Sequence, residues 1–144
     1  MNQYEEKAIQ YHGGNFNCAQ AMALAFKDKL GLDEDTLLKL ASPFGGGMAG
    51  MGEICGIINS MFMIWGLKYG YSNDPTSEEK RAHNKALRAL AEQFRAENGS
   101  INCRELIAMQ KETGGSCASR VGSGARILAE AMQAKDAQDA QDAS

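Results

Sequence analysis

Glu53-Ile-Cys-Gly-Ile-Ile-Asn-Ser-Met-Phe-Met-Ile-Trp-Gly-Leu-Lys-Tyr69 reads as a helix that is apolar nearly all round, with Gly70 as its stop. Ile54, Ile57, Ile58, Met61, Phe62, Ile64, Trp65 and Leu67 leave no wide polar face. Such a helix has to be covered on most sides, by the rest of its own chain or by a second copy. It does not read as a membrane span, because the apolar stretch falls short of about 18 residues and carries Asn59 and Ser60.

The segments around it are helical in pattern too. Glu5–Tyr11 is a short polar helix ended by Gly13-Gly14, and Asn17 opens a helix that runs to Leu30, with Gly31 as its stop. Asp33-Glu34-Asp35 starts a third, which ends at Ser42-Pro43. Thr76 and Glu79 have capping-box spacing at the head of a helix that Asn98-Gly99 closes. Asn102 opens a helix through Lys111, and Ser116 opens the last, to about Ala134. No run alternates with period two. The expected fold is all-α, a compact bundle of six or seven helices around the helix at about 53–69. Residues 1–135 would form a single helical domain, and the repetitive Asp-Ala-Gln segment 136–144 a low-complexity, disordered tail.

The 144 residues suffice for one sizeable core. Lys and Arg number 15 against 18 Asp and Glu, a net charge of −3, which speaks against a nucleic-acid surface. The N-terminus lacks the basic start and apolar core of a signal peptide, so a cytoplasmic location is expected. In a reducing compartment the four cysteines would be inert core, redox-active groups or metal ligands.

Their spacing excludes the common signatures. No CxxC pair exists, and CxxCH is absent, which removes covalent c-type haem. Cys18 follows Asn17, Cys103 follows Asn102 and Cys117 follows Ser116, so three cysteines fall in the first turn of a helix. There the unpaired N–H groups and the dipole lower a thiol pKa. Cys55 lies just inside the apolar helix. Arg104 and Arg120, each within a turn after a cysteine, are candidates to stabilise a thiolate, although exposure is the commoner fate of an arginine. His12 and His83 have no ligand spacing and read as surface residues, and Met48, Met51, Met61 and Met63 read as packing. Gly122-Ser123-Gly124 would permit close helix contact or leave room for a ligand.

Phe44–Gly56 holds six glycines, at 45, 46, 47, 50, 52 and 56, a density that suits positive-φ turns and close backbone approach. The run matches neither GxGxxG nor a P-loop. Gly45, Gly46, Gly47, Gly52 and Gly56 are instead candidate cofactor-binding positions beside the cysteines, with N–H groups able to face an anion or the sulfurs of a cluster.

Asn17-Cys18-Ala-Gln-Ala21, Phe44-Gly-Gly-Gly-Met48, Gly52-Glu-Ile-Cys55-Gly56, Gly66-Leu-Lys-Tyr-Gly70, Cys103-Arg104-x-Leu106 and Cys117 together resemble the C_GCAxxG_C_C family from about Tyr4 to Leu128. The resemblance implies a redox-active protein defined by these four cysteines. A similar four-cysteine region accompanies split-Soret cytochromes, where it is associated with an iron–sulfur centre. One segment departs from the pattern: Ile57 stands for Ala and Ser60 for Gly, which makes that helix face bulkier.

Three readings follow. Cys18, Cys55, Cys103 and Cys117 act catalytically in thiol–disulfide exchange or electron transfer, with Cys55 the first choice of attacker because it adjoins the glycine-rich loop. The same four thiolates hold zinc or an iron–sulfur cluster. Or the chain is a helical binding or scaffold module with inert buried cysteines. The expected partners are a redox protein or small thiol or disulfide, and a second copy of the chain in a homodimer.

Overall fold

Helix caps dictate where the elements begin. In the computed structural model, which describes residues 1–143, Asn2, Asn17, Asp33, Thr76, Asn102 and Ser116 each accept a hydrogen bond from a backbone N–H in the first turn of the helix that follows. The helices are α1 (Gln3–His12), α2 (Cys18–Ala25), α3 (Lys27–Leu30), α4 (Glu34–Ala41), α5 (Gly56–Tyr69), α6 (Ser77–Asn98), α7 (Cys103–Thr113) and α8 (Cys117–Asp142), with a single 3-10 turn at Ser42–Phe44. Gly31, Gly99 and Gly114 end α3, α6 and α7 in the left-handed conformation. Among the described residues there is no strand, only an isolated antiparallel bridge between Ile54 and Asn102. The chain is all-α.

Three boundaries differ from the sequence expectation. The helix expected from Asn17 to Leu30 breaks at Phe26, whose backbone (φ −105°, ψ 11°) turns its buried ring to stack on Tyr4 at 4.6 Å, and this makes eight helices rather than six or seven. The apolar helix starts at Gly56 rather than Glu53, because Glu53–Cys55 pairs with Ile101–Cys103: Cys55 N–H donates to Ile101 C=O at 2.8 Å and Cys103 N–H to Glu53 C=O at 2.7 Å. Last, α8 continues through the segment expected as a disordered tail as far as Asp142, carried by i,i+4 contacts such as Lys135–Asp139 and Gln138–Asp142 on an exposed face. Ser144 lies outside the described residues.

Packing gathers α1, α2, α5, α6 and α8 around one apolar cluster that contains Met22, Phe26, Ile57, Ile58, Met61, Ile64, Phe94, Ile127 and Leu128. α5 packs on α2, α6 and α8, with Leu67 left 46% exposed. Ser60, one of the two departures from the family pattern, is buried and donates from Oγ to Ala19 C=O at 2.9 Å, tying α5 to α2. The other, Ile57, presses on Gly124 of α8: a Cβ added there would run into Ile57 Cγ2 and sit 3.7 Å from Phe94. Gly122 is equally confined, 2.8 Å from Ile9 Cδ1 for an added Cβ, so the Gly122-Ser123-Gly124 segment serves close helix contact. The bulk of Ile57 is thus accommodated by a glycine on the facing helix.

This pairing sets a stability test. Gly124→Ala should destabilise by about 1–3 kcal/mol through overpacking, outweighing the ~1 kcal/mol of helix propensity it gains. In an Ile57→Ala background the same change should be neutral or stabilising, as read by denaturant unfolding of the four variants. An equal loss in both backgrounds would contradict the account.

Candidate functional site

Cys18, Cys103 and Cys117 are the first residues of α2, α7 and α8, and Cys55 is the N-cap of α5. Three cap bonds hold those starts: Asn17 Oδ1 accepts from Gln20 N–H at 2.8 Å, Asn102 Oδ1 from Glu105 N–H at 3.0 Å, and Ser116 Oγ from Ser119 N–H at 3.2 Å. Gln20 Oε1 also accepts from Asn17 N–H at 3.1 Å, which completes a capping box at Cys18.

The four helix starts meet. Cys18 and Cys117 lie side by side, each the largest influence on the other's ionisation. The Ile54–Asn102 bridge sets Cys55 and Cys103 side by side in sequence register, and Cys55 and Cys103 lie close enough to Cys117 to feel its charge. All four cysteines are free thiols.

The glycine-rich loop closes over them. The Gly46 backbone lies beside the Cys18 sulfur, where its N–H favours the thiolate. A Cβ at Gly47 (φ 74°) would lie 2.7 Å from Cys103 Cβ and 2.6 Å from Glu53 N, so both the turn and the space require glycine. A Cβ at Gly56 would lie 2.7 Å from Cys18 Sγ. Gly45 abuts the Asn17 side chain and Gly52 the Arg104 guanidinium. Every candidate glycine therefore sits against a cysteine or a cysteine's neighbour.

Electrostatics separates the thiols. Cys117 is held well below the ordinary thiol range, first by the neighbouring Cys18 thiol and then by Arg120 and His12, against the opposing effect of burial. Cys18 moves the opposite way, first through Cys117 and then through burial, with the charge of Cys55 adding to both. Burial pushes Cys55 up to about 11, against the pull of the Ile57 and Ile58 N–H groups. Burial and the charge of Cys117 also raise Cys103, with Arg120 opposing. The surroundings thus favour ionisation at Cys117 and oppose it at Cys18, Cys55 and Cys103.

Arg120 and His12 belong to this site, although the sequence pointed to exposure for both. Arg120 is only 8% exposed and donates from Nη2 to Gln110 Oε1 at 2.6 Å. No carboxylate pairs with it among the described residues. Its position one turn after Cys117 on α8 was the available signal; nothing in the sequence brings His12, at the end of α1, to the start of α8. His83 stacks edge-on against Tyr71 at 5.3 Å instead. Arg104 stays exposed and donates to Met51 C=O at 2.9 Å. Met61 is core, while Met51 is exposed.

If Arg120 supplies the counter-charge, Arg120→Met keeps the aliphatic stem and removes the cation. The pH midpoint for alkylation of Cys117 should then rise by about one pH unit or more, with Arg120→Lys in between. Mass-spectrometric labelling rates across pH read this directly, and an unchanged midpoint would remove Arg120 from the account.

No curated protein and no solved structure matches the chain. A family model does, over residues 16–131, which include all four cysteines; its description is "Putative redox-active protein (C_GCAxxG_C_C)". The chain belongs to the C_GCAxxG_C_C family.

Proposed function

We propose that the protein carries electrons by thiol–disulfide exchange, with Cys117 as the attacking thiolate and Cys18 as the resolving thiol. The observation that carries this reading is the juxtaposition of Cys18 and Cys117 at two capped helix starts, with the buried Arg120 one turn after Cys117 on α8 and pulling its ionisation down. The thiolate is the nucleophile in such exchange, so the ionised member of a touching pair is the natural attacker.

The Cys117 thiolate attacks one sulfur of a substrate disulfide, forms a mixed disulfide and expels the other half as a thiolate. Cys18 then gives up its proton to the departing thiolate. Its sulfur attacks Cys117, breaks the mixed bond and releases the second half. The products are a Cys18–Cys117 disulfide, one substrate thiol that holds the Cys18 proton and one substrate thiolate that takes a proton from water, so one electron pair has passed from the protein to the substrate.

Cys55, the first choice on sequence, is a poor attacker: it is 4% exposed and pushed up to about 11. Cys55 and Cys103 contribute as neutral neighbours that confine the site to one negative charge. Among the described residues no group of three or more His, Cys, Asp or Glu side chains could hold a metal ion. The thiols as placed do not fit a zinc or iron–sulfur site, and no step runs through one.

The test is trapping with a neutral disulfide, hydroxyethyl disulfide. Wild-type protein should pass to an internal Cys18–Cys117 disulfide, Cys18→Ser should stop as a mixed disulfide on Cys117, and Cys117→Ser should do neither. A first adduct on Cys55 or Cys103 would overturn the assignment. So would stoichiometric iron and acid-labile sulfide in protein purified without oxygen.

A further inference from the structure

One wall of the thiol site is also the wall of a groove. Gly46, whose N–H faces the Cys18 sulfur, lines with Gly50, Met51 and Gly52 an open groove of about 500 Å³ whose opposite side is the α7 face Arg104, Ile107, Ala108 and Lys111. The volume lies within the range of small-molecule sites. Its lining carries two cations and no acid, in a chain whose net charge is −3. No ion pair engages Arg104 or Lys111 among the described residues. Arg104 is pinned against the loop by its bond to Met51 C=O, so one cation has a fixed place on the wall. Met51 and Ile107 add exposed apolar surface beside these charges.

We infer that this groove takes the organic half of the substrate, and that the substrate is a small, carboxylate-bearing disulfide of roughly tripeptide size. The inference rests on the thiol–disulfide reading above. The carboxylates would lie against Arg104 and Lys111, and the sulfurs would reach past Gly46 to the Cys18–Cys117 pair. Glycines on the loop side keep that wall thin, so the substrate backbone passes close to the thiols. Complementary charge here acts on encounter and on selection among disulfides rather than on the chemical step.

The experiment compares oxidation of the reduced protein by glutathione disulfide (anionic), cystamine (cationic) and hydroxyethyl disulfide (neutral). At low salt the wild type should react about tenfold faster with glutathione disulfide than with cystamine, corrected for their reactivity toward a free thiol, and added salt should erase the preference. Lys111→Glu reverses one of the two groove charges at an exposed helix position; it should lower the ratio of the glutathione disulfide rate to the hydroxyethyl disulfide rate several-fold. Equal rates for all three probes, or a variant without effect, would overturn the groove assignment. A faster reaction with the disulfides of insulin than with glutathione disulfide would overturn the small-molecule assignment. If no disulfide oxidises the protein, the exchange reading itself falls. Binding of unreactive S-methylglutathione then decides the groove: binding weakened by Lys111→Glu supports it, and no binding ends it.

Discussion

Bringing four helix starts to one place concentrates the positive ends of four backbone dipoles, and a fold built that way needs negative charge where they meet. Arg120 sharpens the demand, because a guanidinium at 8% exposure with a neutral amide as its hydrogen-bond partner is expensive to bury unless an anion lies near. In the proposed function that anion is the Cys117 thiolate. It is favoured by the neighbouring Cys18 and by His12, and the same charge opposes the ionisation of Cys18 and Cys103 around it. One ionisation would then set the protonation of its neighbours, the asymmetry on which the proposed exchange depends.

The glycine-rich loop is the steric counterpart of that charge. Gly47 and Gly56 let backbone pass where a Cβ would meet Cys103 or the Cys18 sulfur, and the Ile54–Asn102 bridge fastens the loop's exit to the start of α7. Behind the loop, α5 carries the two departures from the family pattern. Neither intrudes on the thiols through the contacts it makes: Ser60 is spent on Ala19 C=O and Ile57 on the notch left by Gly124. The bulkier face is absorbed by helix packing.

Much of this was legible in the chain itself, because caps are local. Asn17, Asn102 and Ser116 announce helix starts, and each places a cysteine one residue later; Gly31, Gly99 and Gly114 announce ends. What was not legible depends on distant partners. Glu53–Cys55 looked like the first turn of the apolar helix, but its backbone bonds go to Ile101–Cys103, some fifty residues on. Phe26 ends α2 because Tyr4 offers it a ring to stack on. His12 was read as a surface residue for the same reason, since only the packing of α1 on α8 brings it to Cys117. Arg120 was visible at helical spacing from Cys117, yet its burial follows from Gln110 and the thiolate, which spacing alone does not reveal.

The most direct test of the central claim is the ultraviolet thiolate absorbance of the reduced protein as a function of pH, compared with that of Cys117→Ser. The account predicts a single thiolate already present well below pH ~8.5, the ordinary thiol pKa, and missing from the variant. Absorbance that appears only around the ordinary thiol pKa, or that persists unchanged in Cys117→Ser, would contradict it.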